Sequence, residues 1–307
     1  MKRMAILAAV VLVLWCSEAG AVDAVRHLES GGRDRSYLLH VPDGQSMGAM
    51  ALVVVLHGGG GSGESAAKMT HFSAEADQEG FLVVYPDGTD KPRPLLNAMG
   101  KPGFLTWNAG GCCGYARDKQ VDDVAFLRAV VADVEKIQKV NPKRIYATGI
   151  SNGGMMAYRL ACEASDVFAA IGPVSAIQDV TECKPAQYVS VIHFHGTDDE
   201  NVPLNGGVGK KALDEEGKRG RPPVQDSIDF WVKQDQCDVT VTSKQPDLDV
   251  TNYGGCVDGT DVIFYKVLGG GHAWPGGDQI LKMLDKPNPN VDATDVIWRF
   301  FNGHPKR

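Results

Sequence analysis

Residues 144–163 read "RIYATGISNGGMMAYRLACE". The opening residues form a short apolar run that suits a strand, and the rest carry apolar residues at helical spacing. Between them stands Gly149-Ile150-Ser151-Asn152-Gly153, a G-x-S-x-G pattern. In such a corner a strand turns sharply into a helix and holds the serine on strained backbone. Small residues two positions to either side prevent collision there. Gly and Ser are common, so the five residues alone are a weak signal. The strand before and the helix after make Ser151 a candidate nucleophile.

The surroundings extend the same reading. "ALVVVLHG" (51–58), "FLVVYPDG" (81–88), "FAAIGPVSA" (168–176), "VSVIHFHGT" (189–197) and "DVIFYKVLGGG" (261–271) are apolar runs bounded by turn residues, as expected of strands buried on both faces. "AVRHLES" (24–30) and "RSYLLHVP" (35–42) read as an N-terminal hairpin. Helical patterns fall between the strands. "SAAKMTHFSAEADQEG" (65–80) reads as one helix stopped by Gly80, and "VDDVAFLRAVVADVEKIQKV" (121–140) is strongly amphipathic. "VQDSIDFWVKQDQC" (224–237) and "ATDVIWRFFNG" (293–303) are further helices, and "GKKALDEEGKRGRPP" (209–223) is a charged loop. Residues 89–119 form a long irregular segment rich in Gly, Pro and Trp. Alternating strands and helices predict an α/β fold with a mostly parallel central sheet covered by helices on both faces.

Bulk properties narrow the function. The 307 residues carry a net charge of -7, and no basic run with interleaved aromatics appears, so nucleic acid is not an expected partner. Lys2 and Arg3 precede the apolar run "MAILAAVVLVLW", and Ala19-Gly20-Ala21 offers a small-x-small cleavage site. Residues 1–21 therefore read as a secretory signal peptide, and 22–307 as a single catalytic domain with no membrane span after cleavage. The expected location is secreted or periplasmic. Cys16 falls inside the leader, and the other six cysteines make an even set for an oxidising compartment. Local pairing favours Cys162 with Cys183 and Cys237 with Cys256. The adjacent Cys112 and Cys113 either bridge each other or pair elsewhere. No Cys or His spacing suits zinc, and neither metal nor organic cofactor is expected.

A serine hydroxyl needs a base, and histidine suits that task near neutral pH. In an α/β-hydrolase the order is Ser, acid, His. His193, His195, His272 and His304 follow Ser151. His193 and His195 alternate along a predicted strand and suit core packing, and His304 lies in the tail. His272 sits in the glycine-rich loop "GGGHAWPGG" just past a strand, where open α/β sheets carry their chemistry. Asp198 and Asp199 in "HFHGTDDENVP" both follow a strand end, and order alone does not choose between them. The oxyanion calls for backbone N–H donors. One is expected from Asn152, the residue after the serine, and one from the Gly59/Gly60 turn in His57-Gly58-Gly59-Gly60-Gly61. A phosphate cradle would need a GxxxxGK[ST] or GxGxxG context, which is missing. Trp107, Asn108 and Trp274 are candidates for the substrate cleft, although Trp107 equally suits packing beneath a long loop.

Together "LHGGGGSGES", "TWNAGGCCGYA", "VDDVAFLRAVV", "IYATGISNGGMMAYRLACE", "HGTDDENVP", "GGGHAWPGG" and "VIWRFF" resemble the secreted polyhydroxybutyrate depolymerase and feruloyl esterase group of α/β-hydrolases, carbohydrate esterase family one. The resemblance runs from about Ser36 to His304. It implies Ser151 as nucleophile, His272 as base and Asp199 as acid, with Asp198 at a variable position. It implies an ester substrate, either a polyester oligomer or a plant cell-wall ester. An acetylxylan esterase and a catalytically silent hydrolase-fold binding module are the rival expectations.

Overall fold

The computed structural model describes residues 21–43, 48–92, 103–212, 215–280, 282 and 284–307. The expected leader, apart from Ala21, lies outside the described residues. One ten-stranded sheet runs through the molecule in the order β1-β2-β4-β3-β5-β6-β7-β10-β9-β8. Its centre is parallel: β4 (Leu82–Pro86), β3 (Met50–Leu56), β5 (Val140–Ile150), β6 (Ala170–Val174), β7 (Ser190–Gly196) and β10 (Val262–Val267). The hairpin of β1 (Val22–Ser30) and β2 (Arg33–Val41) flanks it antiparallel on one side. A second hairpin, β8 (Val239–Gln245) and β9 (Leu248–Gly254), flanks it on the other.

The central strands are apolar throughout because both faces are covered. The period of two then sorts their side chains. Leu52, Val54 and Leu56 of β3 enter one core, and Ala51, Val53 and Val55 enter the other. The first core is closed by α4 (Asp123–Ile137), α5 (Asn152–Glu163) and α7 (Val224–Gln234). The second is closed by α1 (Gly63–Thr70), α2 (Phe72–Glu79) and α8 (Ala293–Gly303). In α4 the buried Val124, Leu127, Val131 and Val134 follow the helical repeat, and the Asp122 side chain caps the start by accepting from Ala125 N–H at 2.9 Å.

Three expectations are corrected. The single helix read over 65–80 is two helices, because His71 takes a left-handed conformation (φ 58°) between them. The Thr70 carbonyl there accepts from Thr294 Oγ1 of α8 rather than continuing a helical ladder, and the turn sends Phe72 into the core against Trp274. The irregular segment holds a short helix, α3 (Gly114–Asp118), and its residues 93–102 lie outside the described residues. The charged loop holds another, α6 (Glu215–Arg219). The β8–β9 hairpin lies outside the expected elements: "VTVT" alternates, but β8 buries neither face. Cys162–Cys183, Cys237–Cys256 and Cys112–Cys113 are all bridged. Among the described residues no helix is long and apolar enough to cross a membrane.

Candidate active site

Ser151 occupies the corner between β5 and α5 with φ 56° and ψ -124°, a conformation that costs a non-glycine residue roughly 1–3 kcal/mol. The neighbouring backbone leaves no room for anything but glycine beside it. A Cβ on Gly149 would lie 2.5 Å from the Leu56 carbonyl oxygen, and one on Gly153 would strike the Leu56 and His57 carbonyls. Helix α5 is thereby pressed onto the end of β3. The Ser151 N–H donates to Val174 O at 2.9 Å, which ties the corner to β6 as well.

His272 comes from the loop after β10, and Asp199 from the loop after β7. His272 Nδ1 donates to Asp199 Oδ2 at 2.8 Å, and both side chains are buried. The other carboxylate oxygen, Oδ1, accepts from the Asn201 and Val202 N–H groups at 2.9 and 2.8 Å. Burial by itself would push the Asp199 pKa up. The charge and hydrogen bond of His272, with His195 and the Val202 N–H, outweigh it and hold the carboxyl down at about 2. With Nδ1 given to Asp199, His272 keeps Nε2 bare as an acceptor when neutral. Its backbone is fixed too: the N–H donates to Asp285 Oδ2 at 2.8 Å, and the carbonyl accepts from Asp285 N–H at 3.1 Å. Asp285 in turn pairs with Lys211, which also pairs with Glu200 beside Asp199, so the two loops are linked across the surface.

Asp198 is exposed, and Thr197 Oγ1 donates to its carboxylate. The geometry therefore pairs His272 with Asp199 and leaves Asp198 in the turn.

Ser151 and His272 line one cavity of about 530 Å³ with Gly58, Gly59 and Asn152. Asn152 stands in the first turn of α5, where backbone N–H groups have no intrahelical partner. Gly59 brings its backbone to the cavity wall beside it. Gly60 does not belong with them: its N–H donates to Leu105 O at 2.8 Å, and its left-handed turn (φ 81°) packs under Phe104. The expectation of one donor from the Gly59/Gly60 turn is corrected at Gly60, because the glycine loop turns there to pair with the 103–106 segment. His57 anchors the loop's base. Its Nδ1–H donates to Gly58 O at 2.8 Å, and its Nε2 accepts from Gly88 N–H at 2.9 Å. Burial lowers its pKa and keeps the ring neutral.

The expected cleft residues Trp107, Asn108 and Trp274 are also corrected: none of them lines this cavity. Trp107 is fully buried, donates from Nε1 to His57 O at 3.0 Å, and grips the Asn152 side chain with its own backbone. Its N–H donates to Asn152 Oδ1 at 2.7 Å, and its carbonyl accepts from Asn152 Nδ2 at 3.0 Å. Trp107 therefore supports the wall from beneath. Asn108 Nδ2 donates to Val121 O at 3.0 Å, and Trp274 Nε1 donates to Thr294 Oγ1 at 3.0 Å. The cavity wall is built instead from Phe104, the bridged Cys112 and Cys113, Met155, Arg221 and Ile280. Phe104 is 44% exposed and sits three residues from the tryptophan that the sequence singled out. Among the described residues no group of three His, Cys, Asp or Glu side chains is placed to hold a metal ion.

The sequence profile of the family described as Esterase PHB depolymerase matches residues 35–205, more than half of the chain, from within β2 to the loop that carries Asp199. The chain belongs to the esterase PHB depolymerase family. Among this family member's relatives, feruloyl esterase B of Piromyces equi is 32% identical over 204 residues. That match covers 64% of this chain and 34% of the relative, so the chain spans about a third of that protein's length. The putative esterase NocK of Nocardia uniformis subsp. tsuyamanensis is 29% identical over 275 residues, covering 84% of this chain and 76% of NocK. Acetyl xylan esterase from Aspergillus awamori shares the fold at a TM-score of 0.61 and 14% identity, over 91% of this chain and 99% of its own. The esterase PHB depolymerase domain here thus has an α/β-hydrolase fold.

Proposed function

We propose that the protein is a secreted serine carboxylester hydrolase that works through an acyl-enzyme. The observation that carries this reading is the buried 2.8 Å His272–Asp199 pair, whose histidine lines the same cavity as Ser151. Ser151 Oγ attacks the ester carbonyl carbon while His272 Nε2 takes its proton. Asp199 holds the imidazole in the productive tautomer and stabilises the imidazolium. The backbone N–H groups of Asn152 and Gly59 receive the oxyanion, and the alcohol leaves with the proton from His272. Water then attacks the acyl-serine carbonyl, again losing its proton to His272, and the acid is released. The leader at residues 1–21 and the three cystine bridges support export to an oxidising compartment.

Short acyl groups on a bulky partner are the expected substrates, of the hydroxybutyrate-oligomer or feruloyl type. The family's description and the named feruloyl esterase relative support that class. Hydrolysis of p-nitrophenyl acetate, butyrate and palmitate tests it. Butyrate is expected to exceed palmitate in kcat/KM, and the reverse would point to a lipase. Ser151→Ala should lower turnover at least about 10⁴-fold with the fold intact, and a variant retaining a tenth of the activity would overturn the reading. A product assay on a feruloyl ester, acetylxylan and hydroxybutyrate trimer chooses the natural class.

A further inference from the structure

His193 and His195 of β7 are fully buried, and both point into the core that holds α5. An inward position on a central parallel strand is ordinarily apolar. A buried imidazole is tolerated when its nitrogens are hydrogen-bonded. Here they form one chain. Tyr158 Oη, on the helix that Ser151 opens, is 2.9 Å from His193 Nδ1. His193 Nε2 is 3.1 Å from His195 Nδ1. His195 Nε2 is 2.8 Å from the carbonyl oxygen of Val202 and 3.6 Å from Asp199 Oδ2.

The chain has a single possible direction. A carbonyl oxygen can only accept, so His195 carries its proton on Nε2. The neutral ring then has a bare Nδ1, which accepts from His193 Nε2–H. His193 in turn has a bare Nδ1, which accepts from the Tyr158 hydroxyl. Each donor is used once and each acceptor is filled. The far end is the residue that matters: Val202, held by its carbonyl, gives its own N–H to Asp199 Oδ1.

We propose that Tyr158, His193 and His195 are positioning residues, a one-way hydrogen-bonded relay along one face of the sheet that sets the acid loop against the nucleophile's helix and so fixes Asp199 on His272. The inference rests on the triad reading above. Both imidazoles work uncharged. Burial lowers the pKa of His193 and of His195, for the latter against the attraction of Asp199. A charged His195 would place a second cation at Asp199, in competition with the imidazolium of His272. The titratable groups around the relay are thus Tyr158 at one end and Asp199 and His272 at the other.

The test compares His195→Leu, His195→Gln and Tyr158→Phe. Leucine fills the space without a donor, glutamine keeps an N–H near the Nε2 position, and phenylalanine removes one hydroxyl that does not line the cavity. Rates with p-nitrophenyl butyrate across pH 5–9 and thermal melts are recorded for each. His195→Leu is expected to lower kcat by up to about 10²-fold with KM little changed, since misplacing a catalytic group by about 1 Å is enough for that. The acid limb of its kcat profile should move to lower pH, because the imidazolium has lost part of its carboxylate support. His195→Gln should recover most of the loss, and Tyr158→Phe should move the acid limb in the same direction by less. A parental kcat and acid limb in His195→Leu, with a change in Tm alone, overturns the relay in favour of core packing. If the leucine variant does not fold, the Tyr158→Phe profile decides: a shifted limb supports the relay, and a parental limb overturns it. Loss of the triad reading itself shows differently, as Ser151→Ala retaining the parental rate.

Discussion

At the scale of single residues, the site depends on atoms whose partners are set within about one hydrogen bond's length. Asp198 and Asp199 are neighbours of the same chemistry, yet one lies in solvent and the other accepts three hydrogen bonds in the interior. Asp199→Asn is therefore expected to lower kcat on the order of 10⁴-fold, because an amide cannot stabilise the imidazolium and can favour the wrong tautomer. Asp198→Asn should stay within about twofold, as befits an exposed turn residue. Steady-state kinetics on the two variants check this, and the opposite ranking would show that the acid had been assigned one residue out. Ser151 illustrates the other half of the scale. Its strained backbone is held by the Val174 carbonyl and by glycines at 149 and 153 that nothing larger can replace.

Among the elements, two bridges close loops next to the parts that carry the site. Cys162 lies near the end of α5, the helix that Ser151 opens, and joins Cys183 at a separation of 21 residues. Cys237 joins Cys256 across the base of the β8–β9 hairpin at a separation of 19. Loops of that size correspond to roughly 3 kcal/mol each in the chain-entropy account. The paired Cys162→Ser, Cys183→Ser variant is expected to lose about that much in urea unfolding. A loss below about 1 kcal/mol would show that the helix end is held by its packing alone. The hairpin makes the same point differently. Every residue of β8 is exposed, so this strand has little burial of its own and depends on β9 and the bridge.

For the whole molecule, two buried carboxyls give stability opposite dependences on pH. Asp235 is fully buried, and burial pushes its pKa up to about 7 against the opposing pull of Thr260 and the Val189 backbone. A raised folded pKa means that the unfolded chain binds fewer protons between about pH 4 and 7, so stability falls as pH rises through that window. Asp199 has the reverse sign: its folded pKa of about 2 stabilises the protein above the ordinary carboxylate range, and that contribution is lost as pH falls towards 2. Denaturant unfolding at pH 5 and pH 8 is expected to show Asp235→Asn gaining on the parent at the higher pH, by on the order of 3 kcal/mol at most. An equal offset at both pH values would mean that Asp235 does not titrate in this range.

The fold class and the position of Ser151 were legible from the chain itself, because strand runs, helical spacing and a glycine-flanked corner are local consequences of covalent geometry. His272 and Asp199 were legible as loop residues past strand ends, with the choice of Asp199 over its neighbour coming from family resemblance. Tertiary structure alone decided depth and partnership. Trp107 reads equally as a cleft aromatic or as packing beneath a loop in sequence, and becomes a buried prop because His57 and Asn152, 50 and 45 residues away, take its polar groups. Gly60 looks interchangeable with Gly59 until its N–H finds Leu105. His71 ends a helix because Thr294 of α8, more than two hundred residues on, reaches the Thr70 carbonyl. His193 and His195 read as packing, and only the fold sets them in line between Tyr158 and Val202. The physical reason is the same in each case. A side chain's propensity is a property of its own neighbourhood in sequence, whereas its burial and its hydrogen-bond partners belong to residues that only folding brings near.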